Sequence, residues 1–314
     1  MAKATLYKFV YQFTDDFVTI EEYKLYFPIS PSQVDELKRQ RLSHEFSKLS
    51  RGVVQGCLGA GDGIVIKIQK PTNKETENAK EFWNRKGVCA LCVCVVNNCV
   101  LCLFAGYYAV VLQAVCDADR IFTYASCQTY GNTHDSLAFD MSALGQALSK
   151  GELRHPYFIV GDEAYRCTNH VLTPFSGSKL SRDKDSFNFY QSRMRIPIEC
   201  SFGSLTQRWG ILWRALRFSL RRIPKLLVSL LMLNNIATRS GLKSRNMATK
   251  TAETMRKQNR RMFLLSFRNL GIGGRRRDLD QSNRRMDIVD DLRRAGLVRP
   301  ARSHWGLNRS LESR

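Results

Sequence analysis

The feature that most constrains this chain is the order in which its strand-like and helix-like segments follow one another. A Gly-punctuated, β-branched run ends in Gly63-Ile64-Val65-Ile66-Lys67-Ile68, with Asp62 at its start or in the turn before it. Residues 107–115 and 121–128 read as two further apolar strands. A helix follows, opened by His134-Asp135-Ser136 and reaching about residue 148, with Leu137, Phe139, Met141, Leu144 and Leu148 as its apolar positions. Residues 157–160 then form a fourth strand. Three strands, a helix and a strand predict a mixed sheet with helices packed against it.

The flanking segments are helical. Leu6, Phe9, Val10, Phe13 and Phe17 give residues 4–25 a weak amphipathic pattern, and Phe27-Pro28-Ile29-Ser30-Pro31-Ser32 breaks it. Ser32 or Asp35 caps a second helix that Gly52 ends. After a short strand at 171–173 and a polar loop at 176–185, a long helical stretch runs from Ser186 to about Trp213, interrupted at Pro197, and an apolar helix covers 226–236. Beyond Gly241 the chain turns Arg-rich and reads as flexible and solvated. These boundaries predict a helical segment at 1–52, a catalytic-sized domain at 53–240 and a basic tail at 241–314.

The charge is unevenly placed. Residues 201–314 hold 26 Lys and Arg against seven Asp and Glu, and account for nearly all of the net charge of +21. A cationic surface concentrates polyanions and releases their counterions, so nucleic acid is the natural partner, with a merely soluble basic tail as the alternative. The first 25 residues lack the apolar stretch of a secretory signal, no membrane association is expected, and Arg275-Arg276-Arg277 fits a nuclear localisation signal. The ten cysteines are then expected to be reduced rather than paired in disulfides.

Hydrolysis of a phosphodiester by hard cations needs carboxylates that converge from strand ends and from a facing helix. Asp62, Asp135, Asp162 and Glu199 are so placed. Spacing alone does not separate them from acids that merely end strands. Asp117 and Asp119 flank a tight turn and are read as turn residues. Tyr165 and Trp209 suit the core better than base stacking, and His134 fits either a phosphate contact or a structural helix start.

The motifs carry more information. Gly131-Asn132-Thr133-His134-Asp135-Ser136, Gly161-Asp162-Glu163-Ala164-Tyr165, Leu172-Thr173-Pro174-Phe175, Asn188-Phe189-Tyr190-Gln191-Ser192 and Ile198-Glu199-Cys200-Ser201-Phe202-Gly203 follow one another in this order. In this the chain resembles the PIF/Harbinger-type DDE transposases over roughly residues 53–236. The resemblance implies an RNase-H-like α/β domain and a DNA endonuclease or strand-transfer activity. Position by position, it implies Asp62, Asp162 and Glu199 as catalytic carboxylates and these three with Asp135 as ligands of two Mg²⁺ or Mn²⁺ ions. The 37 positions between Asp162 and Glu199 are similar to the family's usual separation. It also implies a separately encoded Myb/SANT-like DNA-binding partner. Lys179, Arg182, Lys184, Arg193 and Arg195 lead into Glu199 and are expected to contact phosphate, as is the cluster Arg214, Arg217, Arg221 and Arg222, whose other reading is a helix C-terminal cap.

Three departures from the family pattern bear on activity and keep open an alternative to the leading nuclease reading, a catalytically inactive relative that binds DNA without sequence preference. The family's helix-turn-helix precedes the catalytic domain, and about 60 residues before Asp62 leave it little room. Pro197, two residues before Glu199, is expected to kink the helix and turn Glu199 away. Residues 88–105, VCALCVCVVNNCVLCLFA, resemble an insertion. Their five cysteines permit a zinc reading, their apolar spacers suit a buried strand, and the valine start and Ala-Gly end suit a translated intron.

Overall fold

The computed structural model describes residues 3–84, 94–96, 99–101, 106–177, 179–242 and 283–300. Helices α1 (Lys3–Phe17) and α2 (Gln33–Ser47) precede the sheet. The Ser32 side chain caps α2 by accepting a hydrogen bond from the Asp35 amide at 3.2 Å, and Gly52 takes a positive φ of 83° beyond its end.

The sheet begins with β1 (Cys57–Lys67), which starts well before the expected Gly63, so Asp62 lies in mid-strand rather than at an edge. The glycines that read as turn punctuation serve close packing. A Cβ on Gly59 would meet Val115 Cγ1 at 2.4 Å, and one on Gly63 would meet Gln113 Nε2 at 2.6 Å.

Strand β2 (Trp83–Asn84) extends the sheet briefly, and β3 (Cys94–Val96) pairs with β4 (Cys99–Leu101) as a separate antiparallel hairpin. The rest of 88–105, and with it the zinc and intron readings, lies outside the described residues, as does Arg275-Arg276-Arg277.

Strands β5 (Tyr107–Cys116) and β6 (Phe122–Tyr130) complete an antiparallel set with β1. The expected helix after them is two, α3 (Asp135–Asp140) and α4 (Ala143–Ser149), because the Ser142 hydroxyl caps a new start by accepting from the Gly145 amide. Strands β7 (Phe158–Val160) and β8 (Val171–Leu172) then add in parallel beyond β1. The main order is β6–β5–β1–β7–β8, with β2 pairing on β5. Three antiparallel strands followed by two parallel ones make the mixed α/β, RNase-H-like arrangement.

Alternation along the strands, shifted in β1 by an irregularity between Cys57 and Gly59, divides the core between the two faces. Leu58, Val115 and Ile159 face α3 and α4 with Phe139, Leu144 and Leu148. Ala60, Leu112, Ala114 and Val160 face α5 (Arg182–Arg208) and α6 (Ile223–Arg239), with Phe187, Met194, Ile198 and Leu227. Helix α5 is continuous through Pro197, so the expected interruption is absent.

Residues 283–300, read from sequence as part of a solvated tail, contain α7 (Asn283–Arg294), which buries Ile288, Val289 and Leu292 against this second core. Its Arg285 is fully buried with its guanidinium 3.8 Å from the Phe175 ring centroid, an attraction between cation and ring quadrupole that sequence periodicity does not reveal. Among the described residues no helix is long and apolar enough to cross a membrane.

Candidate metal centre

Parallel pairing sets the first two acids side by side. Ala60 of β1 is in register with Val160 of β7, and Asp62 and Asp162 each lie two residues beyond that pair. Asp62 Oδ1 accepts from the Gly63 amide at 2.8 Å, and Asp162 Oδ1 accepts from the Ala164 amide at 3.0 Å, which fixes both carboxylates locally. Asp135 opens α3, and its Oδ1 lies against Gly63, 3.1 Å from where a side-chain carbon would stand.

The fourth acid arrives from the helix. Gln191, Arg195 and Glu199 repeat at intervals of four and so form one stripe of α5. Gln191 is buried and its Nε2 donates to the carbonyls of Gly161, at 2.6 Å, and Leu172, at 3.3 Å, tying the strand ends beside Asp162 to α5. Glu199 Oε1 accepts from Arg195 Nη2 at 2.5 Å, while Nη1 of the same guanidinium stands 3.9 Å from Asp62 Oδ2. The feared rotation of Glu199 by Pro197 does not occur, since Glu199 faces the same centre as Asp62 and Asp162.

Burial and crowding show in the acidities. Burial is the main cause that pushes the Asp62 carboxyl up to about 7; Arg195 opposes it, and Asp162 and Asp135 reinforce it. Asp162 and Glu199 are also raised, first by burial, with Arg195 again the main opposing influence, and Asp162 adds to the rise at Glu199. Asp62, Asp162 and Glu199 thus share one guanidinium. All the donors are hard oxygens, which suits Mg²⁺ or Mn²⁺ rather than zinc, and the excess of buried negative charge calls for cations. The donor set fits the expected metals. No three His, Cys, Asp or Glu side chains among the described residues stand together closely enough to hold an ion.

Sequence reasoning missed the supporting polar groups. Tyr165 is buried, as expected, and its hydroxyl donates to Gln113 Oε1, while Gln113 Nε2 reaches the Asp135 carbonyl at 3.4 Å. A single amide in the otherwise apolar run 107–116 was the available signal. Asn188 accepts from the Phe175 amide at 2.8 Å and donates to its carbonyl at 2.9 Å, which explains why the Thr-Pro-Phe and Asn-Phe-Tyr-Gln motifs occur together. Asp117 behaves as a turn residue, its carboxylate accepting from the Ile121 amide at 2.8 Å. Trp209 is half-buried against the core. His134 is exposed, makes no side-chain cap, and is a minor influence favouring the ionised form of Asp162.

The basic residues divide. Arg195, expected to contact phosphate, is only 8 % exposed and turned into the carboxylates. Arg222 is engaged with Asp15 of α1 and stacks over Tyr11. Lys179, Arg182, Arg214, Arg217 and Arg221 are exposed. Lys184 and Arg193 are half-buried, lying over the rings of Phe175 and Phe189.

The family described as DDE superfamily endonuclease matches residues 61–235, more than half of the chain. The chain is similar to "Protein ALP1-like" of Arabidopsis thaliana, with 23% identity over 256 residues that cover 75% of this chain and 54% of that protein. The chain therefore spans about half the length of that curated relative. No solved structure matches.

Proposed function

The chain belongs to the DDE superfamily endonucleases, and from that membership we propose that it is a divalent-metal-dependent nuclease that cuts DNA by hydrolysis or strand transfer. One observation carries the reading: carboxylates from β1, the start of α3, the end of β7 and α5 face a common centre, in the order in which the family's motifs occur.

Asp62, Asp135, Asp162 and Glu199 are the residues that would hold the two cations, with Asp62, Asp162 and Glu199 nearest the chemistry. When bound, such ions supply an activated water or 3′-hydroxyl and neutralise charge on the leaving oxygen. The protein's part is placement. Asp62 and Asp162 are fixed by adjacent strands of the sheet, Glu199 opposes them from a rigid helix, and Gln191 holds helix and strand ends together. Tyr165 and Gln113 close the floor beneath Asp135. Lys179, Arg182, Lys184 and Arg193 on the approach to α5, with Arg214, Arg217 and Arg221 beyond its end, are the groups we assign to DNA phosphates, which position a duplex without reading its sequence. Target recognition then falls to a separately encoded Myb/SANT-like partner, and the basic C-terminal region supports a nuclear site of action.

The full-length chain with Mn²⁺ should nick supercoiled plasmid. Asp162→Asn and Glu199→Gln should each abolish nicking while the proteins still retard DNA. If either variant nicks as fast as the parent, these are not the catalytic acids. A parent that retards DNA and never nicks it would establish the binding-only alternative.

A further inference from the structure

Arg195 stands where the metal reading would put positive charge. It is buried, its Nη2 holds Glu199 at 2.5 Å, and its Nη1 lies 3.9 Å from Asp62. A guanidinium is a planar monocation with donors on both sides of its fork. Gln191 and Glu199 on the same stripe of α5 leave its side chain directed at the sheet. Cation coordination requires carboxylate oxygens within about 2.0–2.6 Å of the ion. The guanidinium occupies the approach between Glu199 and Asp62, so those two acids cannot close on a common ion while it remains.

Resting on the metal-site reading above, we propose that Arg195 is a built-in counter-cation that stabilises the metal-free carboxylates and competes with divalent metal, so that loading requires its guanidinium to leave Glu199 and Asp62. The geometry makes it a positioning residue that sets metal affinity.

Mn²⁺ binding can be followed on the full chain by electron paramagnetic resonance, which reads free Mn²⁺ directly and requires no catalysis. Replacing Arg195 by Gln removes the competing charge and should tighten Mn²⁺ binding by about tenfold or more, the equivalent of one charge-assisted hydrogen bond. The metal-free variant should melt lower than the parent, and its melting temperature should rise further on adding Mn²⁺. Arg195→Lys keeps a cation and should fall between the two; should Arg195→Gln not fold without metal, this variant carries the test. Equal or weaker binding by Arg195→Gln, or a lysine variant that binds like the glutamine one, would overturn the competition. A parent and variants that all bind no Mn²⁺ would instead remove the metal-site reading itself.

Discussion

Burial, the Arg195 guanidinium and the neighbouring carboxylates of Asp162 and Asp135 all act on Asp62. Its carboxyl is pushed up to about 7 in the folded chain, mainly by burial, against an ordinary value of 3.8. Between those values the folded state binds the proton more tightly than the unfolded chain does, so raising the pH costs stability, on the order of a few kcal/mol across the interval. The metal-free protein should therefore melt at a higher temperature near pH 5 than near pH 8. Asp62→Asn should flatten that difference and raise the melting temperature at pH 8, and it should also shrink the stabilisation that Mn²⁺ gives the parent. Thermal unfolding at the two pH values checks both effects; a parent more stable at pH 8 would contradict the assigned burial. The Arg195–Glu199 contact was open to inference from the interval of four on a helix. The approach of Arg195 to Asp62, 133 positions away in sequence, depends on how α5 lies on the sheet, and no local pattern encodes that.

At the scale of elements, α7 tests how the C-terminal region is held. Leu292 is 1% exposed and packs with Val289 and Ile288 into the core that α5 shares. Leu292→Ala should cost about 2–5 kcal/mol, read by denaturant unfolding, whereas a cost near zero would mean that α7 is not docked in solution. Asp183–Arg293 and Asp185–Arg299 also join α5 to this region, but exposed pairs of this kind add little. The helix escaped sequence reading because charged residues outnumber its apolar ones and its buried Arg285 is charged. For a related reason β1 was begun too late, since glycines that permit close strand packing look like turn glycines until the opposing Val115 and Gln113 are known. The other main strands and the cap of α2 were legible, because alternation and capping chemistry are local properties. Whether Pro197 would break α5 was not; the helix stays unbroken because Phe187, Met194 and Ile198 before and beside it, and Phe202 and Leu205 after it, all pack into one core.

Over the whole molecule the charge is lopsided, with 26 basic against seven acidic residues after position 200. Binding to duplex DNA should weaken steeply as salt rises from about 50 to 200 mM. Replacing Arg214, Arg217 and Arg221 together by Ala should reduce the slope of log affinity against log salt by about 3, measured by fluorescence anisotropy. An unchanged slope would remove these residues from the DNA-facing surface. On the proposed reading the carboxylate centre would hold metal and the basic residues phosphate, and the charge of the first would have to be neutralised before DNA approached it. The most direct measurement is anomalous diffraction from crystals of the full chain equilibrated with Mn²⁺. The account predicts manganese peaks within about 2.0–2.6 Å of carboxylate oxygens of Asp62, Asp162 and Glu199, with the Arg195 guanidinium displaced from Glu199. Crystals saturated with Mn²⁺ that show no peak among these acids, with Arg195 still bound to Glu199, would contradict it.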